Sequence, residues 1–212
     1  MMRRTGRVIL FAIVVGVISG GGAGCQSKKR MTPMRDAELA RRENERAIEL
    51  TDNGKYDEAE RVLRKAMKAD VMFGPVRNNL GLVYYHQGKL YEAAWEFQNA
   101  IKLMPHQPEP RNNLGLVLEK AGKLDDAEAS YRKARELEPD NPEYIGNLAR
   151  TRVRRGQRDE ETRELLEELV LKDSRPPWLD WAKLNLFRIP RPPSEPAATT
   201  RPVQEEVDRS RR

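Results

Sequence analysis

Arg77-Asn78-Asn79-Leu80-Gly81-Leu82-Val83 returns 34 residues later as Arg111-Asn112-Asn113-Leu114-Gly115-Leu116-Val117. Gly88-Lys89-Leu90 returns as Gly122-Lys123-Leu124, Ala93 as Ala127, Ala100 as Ala134 and Pro105 as Pro139. A fixed period of this size marks a stacked array, in which each unit buries itself against its neighbours. Within one unit the apolar residues follow helical spacing in two stretches, Val76–Gln87 and Leu90–Leu103, with Gly88 between them. A helix of about 13 residues with one apolar stripe cannot bury that stripe alone, so the two must pair as a hairpin. The small residues Gly81 and Ala93 are expected to face each other and let the backbones approach, with Tyr84, Leu90 and Phe97 filling the space beside them. Pro105 ends the second helix, and Pro108 is expected at the first helical position of the next hairpin, where a missing N–H costs nothing.

These residues resemble the tetratricopeptide repeat, a helix-turn-helix of 34 residues with Leu-Gly, an aromatic, Ala, an aromatic, Ala and Pro at fixed offsets. Gly74–Gln107 carries Leu80, Gly81, Tyr84, Ala93, Phe97, Ala100 and Pro105. Pro108–Asn141 carries Leu114, Gly115, Leu118, Ala127, Tyr131, Ala134 and Pro139. The register extends back over Ala40–Phe73, with Ala47, Leu50, Gly54, Tyr56, Ala59, Leu63 and Ala66 in place and Val71 where proline would stand. It extends forward over Pro142–Arg175, where Leu148, Ala149, Gly156 and Leu165 match. There Glu161 and Glu168 replace the two alanines and Asp173 replaces the proline, a degeneracy expected of a terminal unit with one face in water. The resemblance implies an all-α tetratricopeptide-repeat superhelical solenoid: about four hairpins over residues 40–175, in units 40–73, 74–107, 108–141 and 142–175, plus a C-terminal capping helix over 176–189.

Ahead of the array, Arg3, Arg4 and Arg7 precede an uninterrupted apolar run, Val8–Ile18, and a small-residue stretch, Ser19–Gly24. Residues 1–25 thus have the three-part layout of a signal peptide. As a helix, the run of 11 residues would span about 16 Å, half of a bilayer core, too short to cross alone. The one cysteine, Cys25, follows Ala23-Gly24 as in a bacterial lipoprotein signal, which it resembles. That resemblance implies lipidation at Cys25, although Gly22 departs from the aliphatic residue usual there. An uncleaved span over 8–25 and plain secretion are the alternatives. A lone cysteine excludes an intramolecular disulfide. Residues 26–39 read as a polar tether with Lys28, Lys29 and Arg30, followed by Thr32-Pro33 as cap and first turn of a helix to about Asn53. Arg41, Arg42, Glu43, Glu45, Arg46 and Glu49 are expected on its solvated face.

After the repeats, Pro176-Pro177 break the chain and Trp178–Ile189 reads as a short amphipathic helix, with Trp178, Trp181, Leu184 and Phe187 near one face. It is expected to cover the open end of the last hairpin; a docking surface is the sharper alternative. Residues 190–212 hold five prolines and few apolar side chains and are expected to be disordered. The net charge of +6 falls to +3 without the three signal arginines, and residues 41–173 hold 24 Lys and Arg against 26 Asp and Glu, or −2. The positive excess lies in the tails, which argues against a nucleic-acid surface on the folded body.

No catalytic constellation is present in the sequence. The two histidines, His86 and His106, have no metal-ligand spacing, and phosphate-loop and nucleophile-elbow motifs are absent. The expectation is a non-enzyme with no cofactor, no metal and no evident small-molecule substrate. Family resemblance implies that a concave groove lined by the first helix of each unit is the site. It would be built from Asn78, Asn79, Leu82, Tyr85 and His86, from Glu109, Asn112, Asn113, Leu116, Glu119 and Lys120, and from Asn147, Arg150, Val153 and Arg154. Asn amides can both donate to and accept from an extended peptide. The alternative is that Asn79, Asn113 and Asn147 satisfy neighbouring helices. A subclass of the family grips the C-terminal carboxylate of chaperones with Lys, Asn and Arg. This chain departs from it, with Glu109 and Glu143 at the lysine position and Asn113 and Asn147 at the arginine position. Arg150 and Arg154, one turn apart in a basic run with Arg152, Arg155 and Arg158, are expected to face an acidic partner. The sequence thus reads as a membrane-anchored scaffold that binds a partner protein or extended peptide in the bacterial cell envelope, facing the periplasm or exterior. A regulatory subunit of an envelope enzyme and a self-assembling array are the alternatives.

Overall fold

The computed structural model describes residues 36–190. They form nine helices, with no strand among the described residues: α1 (Ala37–Asp52), α2 (Tyr56–Ala69), α3 (Gly74–His86), α4 (Leu90–Leu103), α5 (Glu109–Lys120), α6 (Leu124–Leu137), α7 (Pro142–Arg154), α8 (Glu160–Lys172) and α9 (Pro176–Phe187). Each helix packs on the next, and first helices also meet across units, α1 with α3 and α3 with α5. Each hairpin turns on a glycine with positive φ, at Gly54, Gly88, Gly122 and Gly156. A Cβ at any of the four would meet nothing within 4 Å, so the requirement there is conformational.

At Gly81 and Gly115 the requirement is space. A Cβ on Gly81 would lie 2.7 Å from the Phe97 ring, and one on Gly115 would lie 2.5 Å from the Tyr131 ring. The glycine therefore admits the aromatic of the second helix; it does not serve chiefly to face Ala93, as the sequence suggested. Phe97 and Tyr131 are fully buried, each in a separate cluster. One cluster gathers Leu63, Val76, Leu80 and Phe97 from the first two units, and the other gathers Tyr131, Ile145, Leu148 and Leu165 with Ala182 of α9.

Several local expectations change. The described helix α1 begins at Ala37, where the Asp36 carboxylate accepts from the Leu39 N–H at 2.9 Å; Thr32-Pro33 lies outside the described residues. Glu43 is buried, since Lys65 of α2 donates to it at 2.8 Å, and does not belong to the solvated face. Pro108 caps α5 and does not open it. Glu161 and Glu168 lie at the rim of the last hairpin, and the Glu161 side chain is 41% exposed. Glu161 pairs with Arg132 and Arg152, and Glu168 with Arg135 at 2.7 Å, while Thr162 and Leu169, one residue further on, are fully buried as Ala127 and Ala134 are in α6. Arg152 is almost fully buried among Glu128, Asp159, Glu161 and Thr162.

In α9 the packing face is Trp178, Trp181, Ala182 and Leu186, with Ile189 buried just beyond. Leu184 and Phe187 point away, and Phe187 is 91% exposed. Spacing explains this: Leu184 and Phe187 sit three apart on the flank opposite Ala182 and Asn185. Cys25 and the residues 190–212 expected to be disordered fall outside the described residues, apart from Pro190 itself.

Candidate functional site

The inner face is built from α3, α5 and α7, the first helices of their units, and is continued by α9. Its most regular feature is a chain of amide pairs. Asn79 Nδ2 donates to Asn44 Oδ1 at 2.9 Å, Asn113 to Asn78 at 3.0 Å, and Asn147 to Asn112 at 2.8 Å. In each pair the sixth residue of one unit meets the fifth of the unit before. Asn112 is 2% exposed and Asn147 3%, and Asn112 Nδ2 donates onward to Glu143 at 2.9 Å. Asn112 and Asn147 are therefore joints between units and are not presented to a partner. Asn78, Asn79 and Asn113 keep part of their surface open. Asn44 completes the series and was missed from sequence. Its signal is there, because Asn44, Asn78 and Asn112 recur at the same period.

Glu119 organises the C-terminal half of the face. It is 6% exposed. Arg150 donates to both of its oxygens at 3.0 and 2.8 Å, Arg154 donates at 2.7 Å and the Tyr131 hydroxyl at 2.9 Å. Burial pushes the carboxyl up, but the hydrogen bonds from Arg150 and Arg154 outweigh it and hold Glu119 below its ordinary value. Burial, and then the charge of Glu119, raises the Tyr131 phenol far above its ordinary value, which keeps it a donor. Arg150 and Arg154, expected to face an acidic partner, are both engaged within the chain by a glutamate one unit away, and the Arg154 side chain stays 49% exposed. Arg152 and Arg155 of the same basic run are likewise paired inside the chain, with Glu128.

The groups left facing outward are mixed. Leu82, Tyr85, Leu116 and Val153 are half-buried, packed at their bases on the two core clusters. Lys120 lies 4.5 Å above the Tyr85 ring, and His86 stacks on Tyr56 at 5.0 Å. Glu109, Lys120, Glu143 and Arg154 are exposed around them. A cleft of about 270 Å³ opens between the second and third units, lined by Pro75, Asn78, Asn79, Met104, Gln107, Glu109 and Pro110. Another of about 220 Å³ lies at the end of the face between Arg150, Pro177, Trp178 and Trp181. Among the described residues no three His, Cys, Asp or Glu side chains are placed to hold a metal ion, and no helix is long and apolar enough to cross a membrane.

The family description "TPR repeat" matches residues 81–122 and "Tetratricopeptide repeat" matches 108–141. No curated protein matches the chain by sequence. Among solved structures, the first TPR of Spaghetti (RPAP3) bound to HSP90 peptide SRMEEVD is 25% identical, with a TM-score of 0.56, over 58% of this chain and 98% of that one. The second TPR domain of human RPAP3 in complex with HSP70 peptide SGPTIEEVD is 23% identical, with a TM-score of 0.52, over 54% of this chain and 96% of that one. Pseudomonas aeruginosa pilF is 17% identical, with a TM-score of 0.63, over 72% of this chain and 68% of that one. The repeated hairpin, the glycine turns and these likenesses agree: residues 81–141 carry tetratricopeptide repeats, and the described chain has the all-α tetratricopeptide-repeat fold.

Proposed function

We propose that the chain is a protein-interaction scaffold whose inner face takes an extended peptide segment of a partner protein, held at the bacterial envelope by its N-terminal segment. The observation that carries this reading is the open strip of Leu82, Tyr85, Leu116 and Val153 flanked by exposed Lys120, Arg154, Glu109 and Glu143. An apolar strip with polar groups of both signs along it suits side-chain pockets and backbone capture together. The peptide in the RPAP3 structure at 25% identity supports the class of ligand. Glu109, Glu143, Asn113 and Asn147 at the chaperone-clamp positions argue that a free C-terminal carboxylate is not what this face grips. The test is capture from solubilised envelope by the full chain against a Leu82→Ser/Leu116→Ser variant whose helicity is unchanged. Loss of the captured protein supports the reading, and equal capture contradicts it.

The anchoring half of the proposal rests on the sequence of residues 1–25, with Cys25 as the lipidated residue and attachment to the membrane facing the periplasm or exterior. Mass spectrometry of the protein from its source tests it: a mature N-terminus at Cys25 carrying acyl chains is expected. An unmodified thiol there, or an intact Met1, contradicts it.

A further inference from the structure

The outer side of the array carries a cleft whose charges the chain does not balance. It has a volume of about 230 Å³ and is lined by Ile101 of α4, Arg111 and Leu114 of α5, and Ala129, Ser130 and Lys133 of α6. By helical spacing Arg111 and Leu114 lie on the side of α5 opposite Glu109, Asn113 and Leu116, so the cleft is separate from the inner face. Ile101, Leu114 and Ala129 make its floor apolar. Arg111 donates to the Gln107 carbonyl at 3.1 Å, and among the described residues neither Arg111 nor Lys133 has an ion-pair partner. The carboxylates of α6 are placed elsewhere. Glu128 is held by Arg132, Arg152 and Arg155, Asp125 by Arg155, and Glu136 lines the next cleft along α6.

The neighbouring units show what such a site takes. In the repeat register Arg111, Ala129 and Ser130 correspond to Arg77, Trp95 and Glu96 of the second unit. There Arg77 donates to Glu96 at 2.8 Å, and Trp95 adjoins that glutamate. The third unit keeps the arginine but has alanine and serine where the indole and the carboxylate stood. Arg111 and Lys133 also correspond to Glu43 and Lys65 of the first unit, which form an ion pair at 2.8 Å. In the third unit both of those positions are cationic. We propose that the cleft binds a segment of a partner protein that presents an acidic side chain beside an aromatic one. The carboxylate lies between Arg111 and Lys133, and the ring lies on Ile101, Leu114 and Ala129. Two unpaired cations above an apolar floor favour an anion, and hydrogen bonds from ionised donors to a carboxylate are the strong ones. The volume is below the roughly 300–1,000 Å³ of small-molecule pockets, so the cleft suits one or two protein side chains. The site does not rest on the inner-face reading, and the two surfaces can be occupied together.

The test adds the peptide acetyl-Gly-Trp-Glu-Gly-amide to the full chain and follows the backbone amide NMR signals of Leu114, Ala129 and Ser130. The controls are acetyl-Gly-Trp-Gln-Gly-amide and sodium acetate. The Trp-Glu peptide is expected to shift the three signals saturably while those of Leu82 and Val153, on the inner face, stay fixed. The Trp-Gln peptide and acetate are each expected to bind about tenfold more weakly or less. No saturable shift from the Trp-Glu peptide up to about 10 mM, above the millimolar Kd of so small a probe, overturns the proposal. Equal binding of the Trp-Gln peptide overturns it, because the cations then select nothing. Equal binding of acetate overturns it as well, because the cleft is then a site for any small anion. Ser130→Glu supplies a carboxylate from within, as Glu96 does at Arg77, and is expected to weaken the Trp-Glu peptide about tenfold with helicity unchanged. Undiminished binding to that variant overturns the assignment of Arg111.

Discussion

Asn147 donates its side-chain amide to Asn112 at 2.8 Å, with both residues sealed from solvent between α5 and α7. A buried acceptor that loses its donor keeps its desolvation cost, so Asn147→Ala should destabilise the array by about 1–3 kcal/mol. The more open Asn79–Asn44 pair should cost about 0.5–1.5 kcal/mol on Asn79→Ala. In urea unfolding, Asn112→Ala/Asn147→Ala should cost clearly less than the two single changes added together. Strict additivity would show that the two amides do not act as a joint.

Gly115 has no room for a methyl group, since the Tyr131 ring would be 2.5 Å from it. Gly115→Ala should therefore cost about 1–3 kcal/mol through displacement of the ring or of α5. Gly81→Ala should behave alike against Phe97, and Phe97→Leu in the same chain should recover part of the loss. Thermal unfolding of the three variants checks this, and a neutral Gly81→Ala would refute the close-approach account.

Arg150 and Arg154 differ in what their removal leaves behind. Arg150 makes two of the three arginine hydrogen bonds to the buried Glu119, so Arg150→Ala should destabilise by about 3 kcal/mol. Arg154 is half exposed and makes one, so Arg154→Ala should cost about 1 kcal/mol or less. Arg154→Ala is thus the useful probe of binding, because a loss of partner capture there is not a loss of fold. Equal destabilisation by both changes would contradict this division.

Acid should loosen the second half of the array. Burial raises the Glu119 and Glu128 carboxyls, but the arginines around each, Arg150 and Arg154 on Glu119 and Arg155 and Arg152 on Glu128, outweigh it and hold both below their ordinary 4.5. The Thr162 N–H first, and then the Thr162 hydroxyl and Arg152, lower Asp159 to about 2. Carboxyls with depressed folded values bind fewer protons folded than unfolded. Their contribution is complete above the unfolded values and is lost as pH falls through the folded ones. The melting temperature should be flat from neutral pH to about 5 and fall steadily below about 4.5, with the Asp159 share lost last, near pH 2. A melting temperature that rises between about pH 4.5 and 3 would exclude these ion pairs as stabilising.

The hairpins and their period were legible because Leu80, Gly81, Ala93 and Phe97 recur with fixed offsets, and fixed offsets are local information. The pairing of side chains between units was harder to read. Asn44, Asn78 and Asn112 share the same period as Asn79, Asn113 and Asn147, but only the contact between first helices shows that one series donates to the other. Arg150 and Arg154 look like an unclaimed basic pair until α5 brings Glu119 beneath them, 31 and 35 residues away. Glu161 and Glu168 look like decay of the motif, because the compensating Arg132 and Arg135 belong to the preceding unit. In α9 the spacing of Trp178, Trp181, Leu184 and Phe187 gave the helix but not its rotation, which the fit of Trp178 against Gly146 and of Ala182 into the core decides.

Site-specific photo-crosslinking in the source cells tests the inner-face assignment most directly. A photoreactive phenylalanine at Tyr85 and at Leu116 reports the inner face, and one at Tyr91 and at Trp95, both exposed on α4, reports the outer side of the second unit. The account predicts a discrete crosslinked protein from Tyr85 and Leu116 and none of the same mass from Tyr91 and Trp95. Adducts from Tyr91 and Trp95 with none from Tyr85 and Leu116 would contradict it and move the binding surface to the second helices.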